Sequence, residues 1–193
     1  GVDRIILTAG TVQESREAVV KAREWKKQYP TIQFSCTVGV HPTRCQQEFV
    51  DKKGDGDDEA VLQELLDILR DGMSDGTVVA VGEIGLDYDR LEFCPADVQK
   101  KYLIRQLQVL AATTGLPLFL HNRSVGNDLL NILKEYRDCW KAGGGVVHSF
   151  DDCLELAVGF MEDLDLYIGL NGCSLRSDES LAVVKELPLD KIL

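Results

Sequence analysis

Short apolar runs, several of them β-branched, alternate along this chain with longer stretches whose apolar residues recur at helical spacing. Seven of the short runs read as strands: Arg4–Thr8, Ile32–Val40, Val78–Glu83, Leu116–His121, Val146–His148, Leu166–Leu170, and a last one starting near Lys191. Helical patterns fill the gaps between them. Ala18, Val19, Ala22 and Trp25 form one face of a first helix that Pro30 closes. Val61, Leu62, Leu65, Ile68 and Leu69 form the second. Leu103, Leu107 and Leu110 mark a third, with Pro95 at its first turn. Leu129, Leu130, Leu133 and Tyr136 mark a fourth, with Gly143-Gly144-Gly145 beyond it. Asp152 and Glu155 have the spacing of a capping box for a fifth. A short sixth passes through Leu181 and Val184 to Pro188.

Strict strand–helix alternation leaves two architectures, a (β/α) barrel and an open doubly wound sheet. A dinucleotide-binding sheet would carry G-x-G-x-x-G after its first strand, but here the run Thr8-Ala9-Gly10-Thr11 follows. The expectation is therefore an α/β fold of the TIM-like barrel type. A complete barrel takes eight strands and about 250 residues. With 193 residues, six full strands and the start of a seventh, the chain reads as one domain over 1–193. It reads as lacking the first strand and most of the last. The segment Asp51–Asp58, charged and glycine-containing, is expected to be a mobile surface loop.

Composition narrows this only modestly. The apolar fraction is 45%, and no stretch approaches the ~20 apolar residues of a membrane helix. The chain begins at Gly1-Val2-Asp3 without a methionine, so a targeting segment is not assessable. Six cysteines without a CxxC pair suggest reduced, packed thiols in an intracellular protein, nuclear or cytoplasmic. A net charge of −11 argues against a broad basic face for duplex DNA, although a metal centre and a few arginines can still hold a phosphate.

Three of the predicted strands end on groups that bind metals: Glu83, His121 and His148. In parallel α/β folds, chemistry gathers at the carboxyl ends of strands, so these residues are expected to converge. Together they match the ligand set of a hydrolytic Zn, Mn or Mg centre. The alternative for Glu83 is a buried ion pair, and for each histidine a satisfied core position. A ligating imidazole needs an acceptor on its other nitrogen, for which Asp87 and Asp151 are both candidates. His41, at the end of the second strand, is a candidate for contact with substrate, or else a polar loop residue. Arg123 could hold a phosphate as a two-pronged donor, or form a surface salt bridge. Asn171-Gly172 and Cys173 could line the pocket, or form a simple turn.

The motif Gly82-Glu83-Ile84-Gly85-Leu86-Asp87-Tyr88, followed by Leu116–Arg123 and then Val146–Phe150, resembles the TatD family of metal-dependent deoxyribonucleases. Gly39–Arg44 and Asp165–Ser174 are most similar to its eukaryotic TatD domain 1 branch, and the resemblance covers essentially the whole chain. It implies an amidohydrolase-type barrel and a two-metal centre bridged by the carboxylate matching Glu83, with imidazoles matching His121 and His148. It also implies hydrolysis of phosphodiester bonds in DNA, often by 3′-5′ trimming of single strands. The family's His-x-His on the first strand and its last-strand aspartate, a general base, fall outside this sequence. The rival readings are an amidohydrolase of a small amide, ester or lactone, and a non-catalytic fragment that binds a partner or a second copy.

Overall fold

Apolar alternation and helical spacing generate the elements expected of them. The computed structural model describes residues 1–51, 58–172 and 174–193. The strands are β1 (Arg4–Leu7), β2 (Gln33–Val38), β3 (Val78–Asp87), β4 (Leu118–Arg123), β5 (Gly145–His148) and β6 (Tyr167–Ile168). All pair in parallel, and each lies beside its sequence neighbour, in the order β1-β2-β3-β4-β5-β6. A doubly wound sheet would reverse its order at a switch point. An order that never reverses, with a helical connection after each strand, is that of a curled half-barrel, incomplete as expected. The curl shows in bonds between strand ends that are not neighbours in the sheet. Glu83, on β3, donates its backbone N–H to the carbonyl of Ala9, just beyond β1, at 2.8 Å.

The helices pack their apolar faces on the outside of this sheet. Helix α1 (Val12–Gln28) begins at Thr11, whose hydroxyl accepts from the backbone N–H of Glu14, and buries Val12, Ala18, Val19 and Ala22. Helix α2 (Asp58–Met73) buries Leu62, Leu65 and Leu69. Helix α3 (Ala96–Gln106) is capped by Pro95 and continues through a widened turn, Leu107–Ala111, into Ala112–Thr114, where Gly115 in the left-handed region ends it. Helix α4 (Asp128–Glu135), the single turn Arg137–Trp140 after it, α5 (Leu154–Val158) and α6 (Asp178–Glu186) complete the α-helices among the described residues. One core joins sheet and helices through Leu103, Leu107, Leu110, Leu118, Leu120, Leu129, Trp140 and Phe160. Each such side chain contributes roughly 1.5–3 kcal/mol by burial.

Besides shorter strands β2 and β6 than the expected Ile32–Val40 and Leu166–Leu170, the structure departs from the sequence expectations in four places. First, β3 and β4 run past Glu83 and His121 to Asp87 and Arg123, because the two strands go on pairing, residue for residue, to Asp87–Arg123. Second, β4 starts at Leu118 because Pro117 has no N–H for the ladder. Third, the Asp152–Glu155 capping box does not form. Cys153 is the cap residue and has no side-chain bond to the helix, while Asp152 accepts from the Cys153 N–H and from Asn122. Fourth, the seventh strand is reduced to a single parallel bridge between Ile168 and Ile192. Of the expected loop Asp51–Asp58, the two end residues belong to helical turns, Asp51 closing Gln46–Asp51 and Asp58 opening α2, while 52–57, like Cys173, lie outside the described residues. No helix among the described residues is long and apolar enough to cross a membrane. The described cysteines are free: Cys36, Cys45 and Cys94 are buried and Cys153 is exposed.

Candidate metal centre

Register brings the predicted residues together. His121 on β4 lies directly beside His148 on β5. The pairing of β3 with β4 slips between Gly82 and Ile84, leaving Glu83 as the extra residue of a bulge. A bulge re-aims a side chain that strict alternation would fix. It also frees the Glu83 N–H for its bond to Ala9. The two glycines on either side are needed for close approach. A Cβ on Gly82 would lie 2.5 Å from the Phe119 carbonyl oxygen, and one on Gly85 would lie 2.0 Å from that of His121.

Three imidazoles surround one carboxylate oxygen. Glu83 Oε1 is 2.8 Å from His121 Nδ1, 2.6 Å from His148 Nε2 and 3.5 Å from His41 Nε2. The other nitrogen of His121 faces Asp87 Oδ2 at 3.1 Å, which decides between the two candidate acceptors. Asp151 instead pairs with Arg123. The Ser149 hydroxyl accepts from Asn171 Nδ2 at 2.7 Å and lies 2.9 Å from His148 Nδ1, where its second lone pair can accept the ring N–H in the tautomer that leaves Nε2 free as a ligand. His41 caps the turn Pro42–Arg44, where its Nδ1 accepts the Thr43 N–H, so that in the neutral ring Nε2 carries the proton toward Glu83. Phe119 stacks on His148 with ring centroids 4.4 Å apart.

The electrostatics follow from this crowding. Burial would raise the Glu83 carboxyl, but hydrogen bonds from His121 and His148 outweigh it and hold the group well below the usual carboxylate range. Asp87 behaves likewise: burial raises it, and its bond to His121 lowers it further than that. Burial lowers His121, and its bonds to Asp87 and Glu83 more than reverse the effect, so its net shift is upward. Burial dominates at His41 and pushes it down to about 4, so this ring is neutral near pH 7.

Arg123, two residues beyond His121, directs its guanidinium to Asp151 at 3.0 Å and Asp89 at 3.9 Å. Asn171 joins the cluster through Ser149. Among the described residues, two sets of donor atoms lie close enough together to share a cation: Glu83, His121 and His148, and His41, Asp87 and His121. In each set all donor atoms fall within 4.8 Å of one another. Carboxylate oxygen with neutral imidazole is a donor set for Zn, Mn or related divalent ions, so the residues present fit such an ion.

Sequence reasoning missed two supporting residues on α3. Gln99 is fully buried; it accepts from the Asp87 N–H and donates to the carbonyls of Asp87 and Cys94, all at 2.8 Å. Gln106, seven residues on, accepts from the Val40 N–H and donates to the Val40 carbonyl. The available signal was polar residues at i and i+7 on the face that also buries Tyr102 and Leu103.

A family model described as TatD related DNase matches residues 1–193. The deoxyribonuclease Tat-D of Schizosaccharomyces pombe is 42% identical over the whole chain, which covers 58% of that protein. The 3′-5′ ssDNA/RNA exonuclease TatD of a Rahnella species is 33% identical over 88% of the chain and 54% of its own length. The crystal structure of a TatD family hydrolase from Entamoeba histolytica superimposes with a TM-score of 0.83 at 33% identity, over the whole chain and 59% of that protein. The chain thus spans rather more than half the length of these relatives.

Proposed function

The chain belongs to the TatD related DNase family, and from that premise we propose that the protein containing it hydrolyses phosphodiester bonds in nucleic acid, DNA first among them, with one or two divalent ions. Glu83, His121 and His148 hold the ion. The observation that carries this reading is the meeting of two imidazoles from adjacent strands on one bulged carboxylate, with both nitrogens within 2.8 Å of it.

When bound, a divalent ion supplies Lewis acidity toward a phosphoryl oxygen and lowers the pKa of water. The chain's own groups do the rest. Glu83 stays ionised and offers its charge to the cation. His121 offers Nδ1 and is steadied through Nε2 by Asp87, while His148 offers Nε2 and is steadied through Nδ1 by Ser149. Arg123, held between Asp151 and Asp89, orients a phosphate with its planar fork. His41, neutral at working pH, presents its Nε2 proton to the substrate side of Glu83. Single-stranded ends are the proposed substrate. The support is the chain's net charge of −11, which disfavours a broad grip on duplex DNA, together with the name of the Rahnella relative.

The test is Glu83→Ala in the full-length protein, assayed on labelled single-stranded oligonucleotides beside p-nitrophenyl esters and lactones. Metal-dependent oligonucleotide cleavage should fall by at least about 100-fold. Intact cleavage in the variant would end the assignment of Glu83. A wild-type protein that turns over only esters or lactones would favour a small-molecule hydrolase.

A further inference from the structure

A cavity of about 200 Å³ lies beside the candidate metal centre, lined by Thr43, Arg44, Arg90 and Phe93. Two of these residues are one hydrogen bond from the cluster. Thr43 Oγ1 is 2.8 Å from His41 Nδ1, and Arg90 Nη1 is 3.1 Å from Asp87 Oδ2. The other two point outward. Arg44 is exposed and has no ion-pair partner among the described residues, whereas Arg90 and Arg123 are both paired with carboxylates. Phe93 is 56% exposed, with Leu91, two residues before it, at 44%. The turn that carries them is fixed in place: Gln99 ties its two ends, Asp87 and Cys94, and the Phe93 N–H bonds to the Arg90 carbonyl.

An unpaired guanidinium and an exposed aromatic ring thus face one cleft from two different turns. An anion with a flat apolar body attached would satisfy both at once, and that is the chemistry of a nucleotide. We propose that this cleft binds the nucleotide next to the scissile one, its phosphate against Arg44 and Arg90 and its base stacked on Phe93. The inference rests on the nuclease reading above, because it takes the occupant to be part of the strand being cut. The cleft thereby recognises a polymer over an isolated phosphodiester, and it does so without base identity, since every base has a face to stack.

The experiment measures binding of a fluorescent oligothymidylate to the full-length protein in EDTA by anisotropy, and KM for the same oligonucleotide with metal restored. The variants are Arg44→Ala, Phe93→Ala and Phe93→Trp, with Arg70→Ala on the outer face of α2 as the equal change of charge elsewhere. Arg44→Ala and Phe93→Ala should each weaken binding about tenfold and raise KM similarly. Phe93→Trp should retain binding, and Arg70→Ala should bind like wild type. Binding within twofold of wild type in both cleft variants would overturn the proposal. So would an equal loss in Arg70→Ala, which would reduce the effect to net charge, or a wild-type protein that binds no oligonucleotide. A wild-type protein that binds but does not cleave would refute the nuclease reading alone, because the binding ratios still decide the cleft.

Discussion

Gly85 shows how much of the centre depends on one missing methyl group. Its φ of +144° and the 2.0 Å that would separate a Cβ from the His121 carbonyl oxygen leave no space for alanine, since the obstacle is backbone. Gly76 also has a positive φ, +70°, but nothing lies within 4 Å of its would-be Cβ. Urea unfolding should therefore separate the two substitutions. Gly85→Ala should cost about 3 kcal/mol or more, by parting β3 from β4. Gly76→Ala should cost only about 1 kcal/mol, the strain of a left-handed residue in open space. Equal costs would mean that β3 and β4 can separate at Gly85 without penalty. Glu83, two residues earlier, depends on the same closeness, because His121 reaches it only from the adjacent strand.

At the scale of elements, α3 acts as a clamp on the site. Its two buried glutamines bond the backbone at the carboxyl ends of β2 and β3, at Val40 and Asp87, where regular pairing is running out. A buried backbone group left without a partner costs on the order of 1 kcal/mol or more. Gln99→Leu would strand the Asp87 N–H and carbonyl and the Cys94 carbonyl together. The expected loss is about 2–4 kcal/mol in denaturant unfolding, accompanied by faster amide exchange through the turn at 88–94. A variant within about 0.5 kcal/mol of wild type would show that water replaces the glutamine at no cost.

At the scale of the molecule, charge sets how a polyanion can approach. With 32 acidic and 21 basic residues in this chain, the nucleic-acid binding proposed above would draw on a few local cations rather than on the surface as a whole. Arg44, Arg90 and Arg123 are the cations placed near the candidate centre, and two of them share their charge with carboxylates. Oligonucleotide affinity should accordingly fall only gently with salt. The expected slope of log K against log salt is about −2 or shallower, from roughly 0.7 counterion per neutralised phosphate on a single strand. Titrations across a range of potassium chloride concentrations would read it, and a slope steeper than about −4 would point to a broad basic interface elsewhere on the full-length protein.

The sequence alone determined the class of fold and which types of side chain would gather at the candidate centre. Alternating apolar runs located the six strands, and the residue types at three of their ends predicted a carboxylate and two imidazoles in one place. Such features are local, written in the period of side chains and in the identity of single residues. What only the tertiary structure decided depends on register and on contacts between distant segments. The bulge at Glu83 arises from how β3 pairs with β4, and no periodicity in either strand reveals it. The choice of Asp87 over Asp151 as the partner of His121 is set by which carboxylate lies across the strand end. The clamping by Gln99 and Gln106 requires knowing which face of α3 meets which backbone. The cleft at Arg44 and Phe93 joins residues far apart in the chain, and only the parallel pairing of β2 with β3, which sets the turn after β2 beside the turn after β3, brings them to one wall.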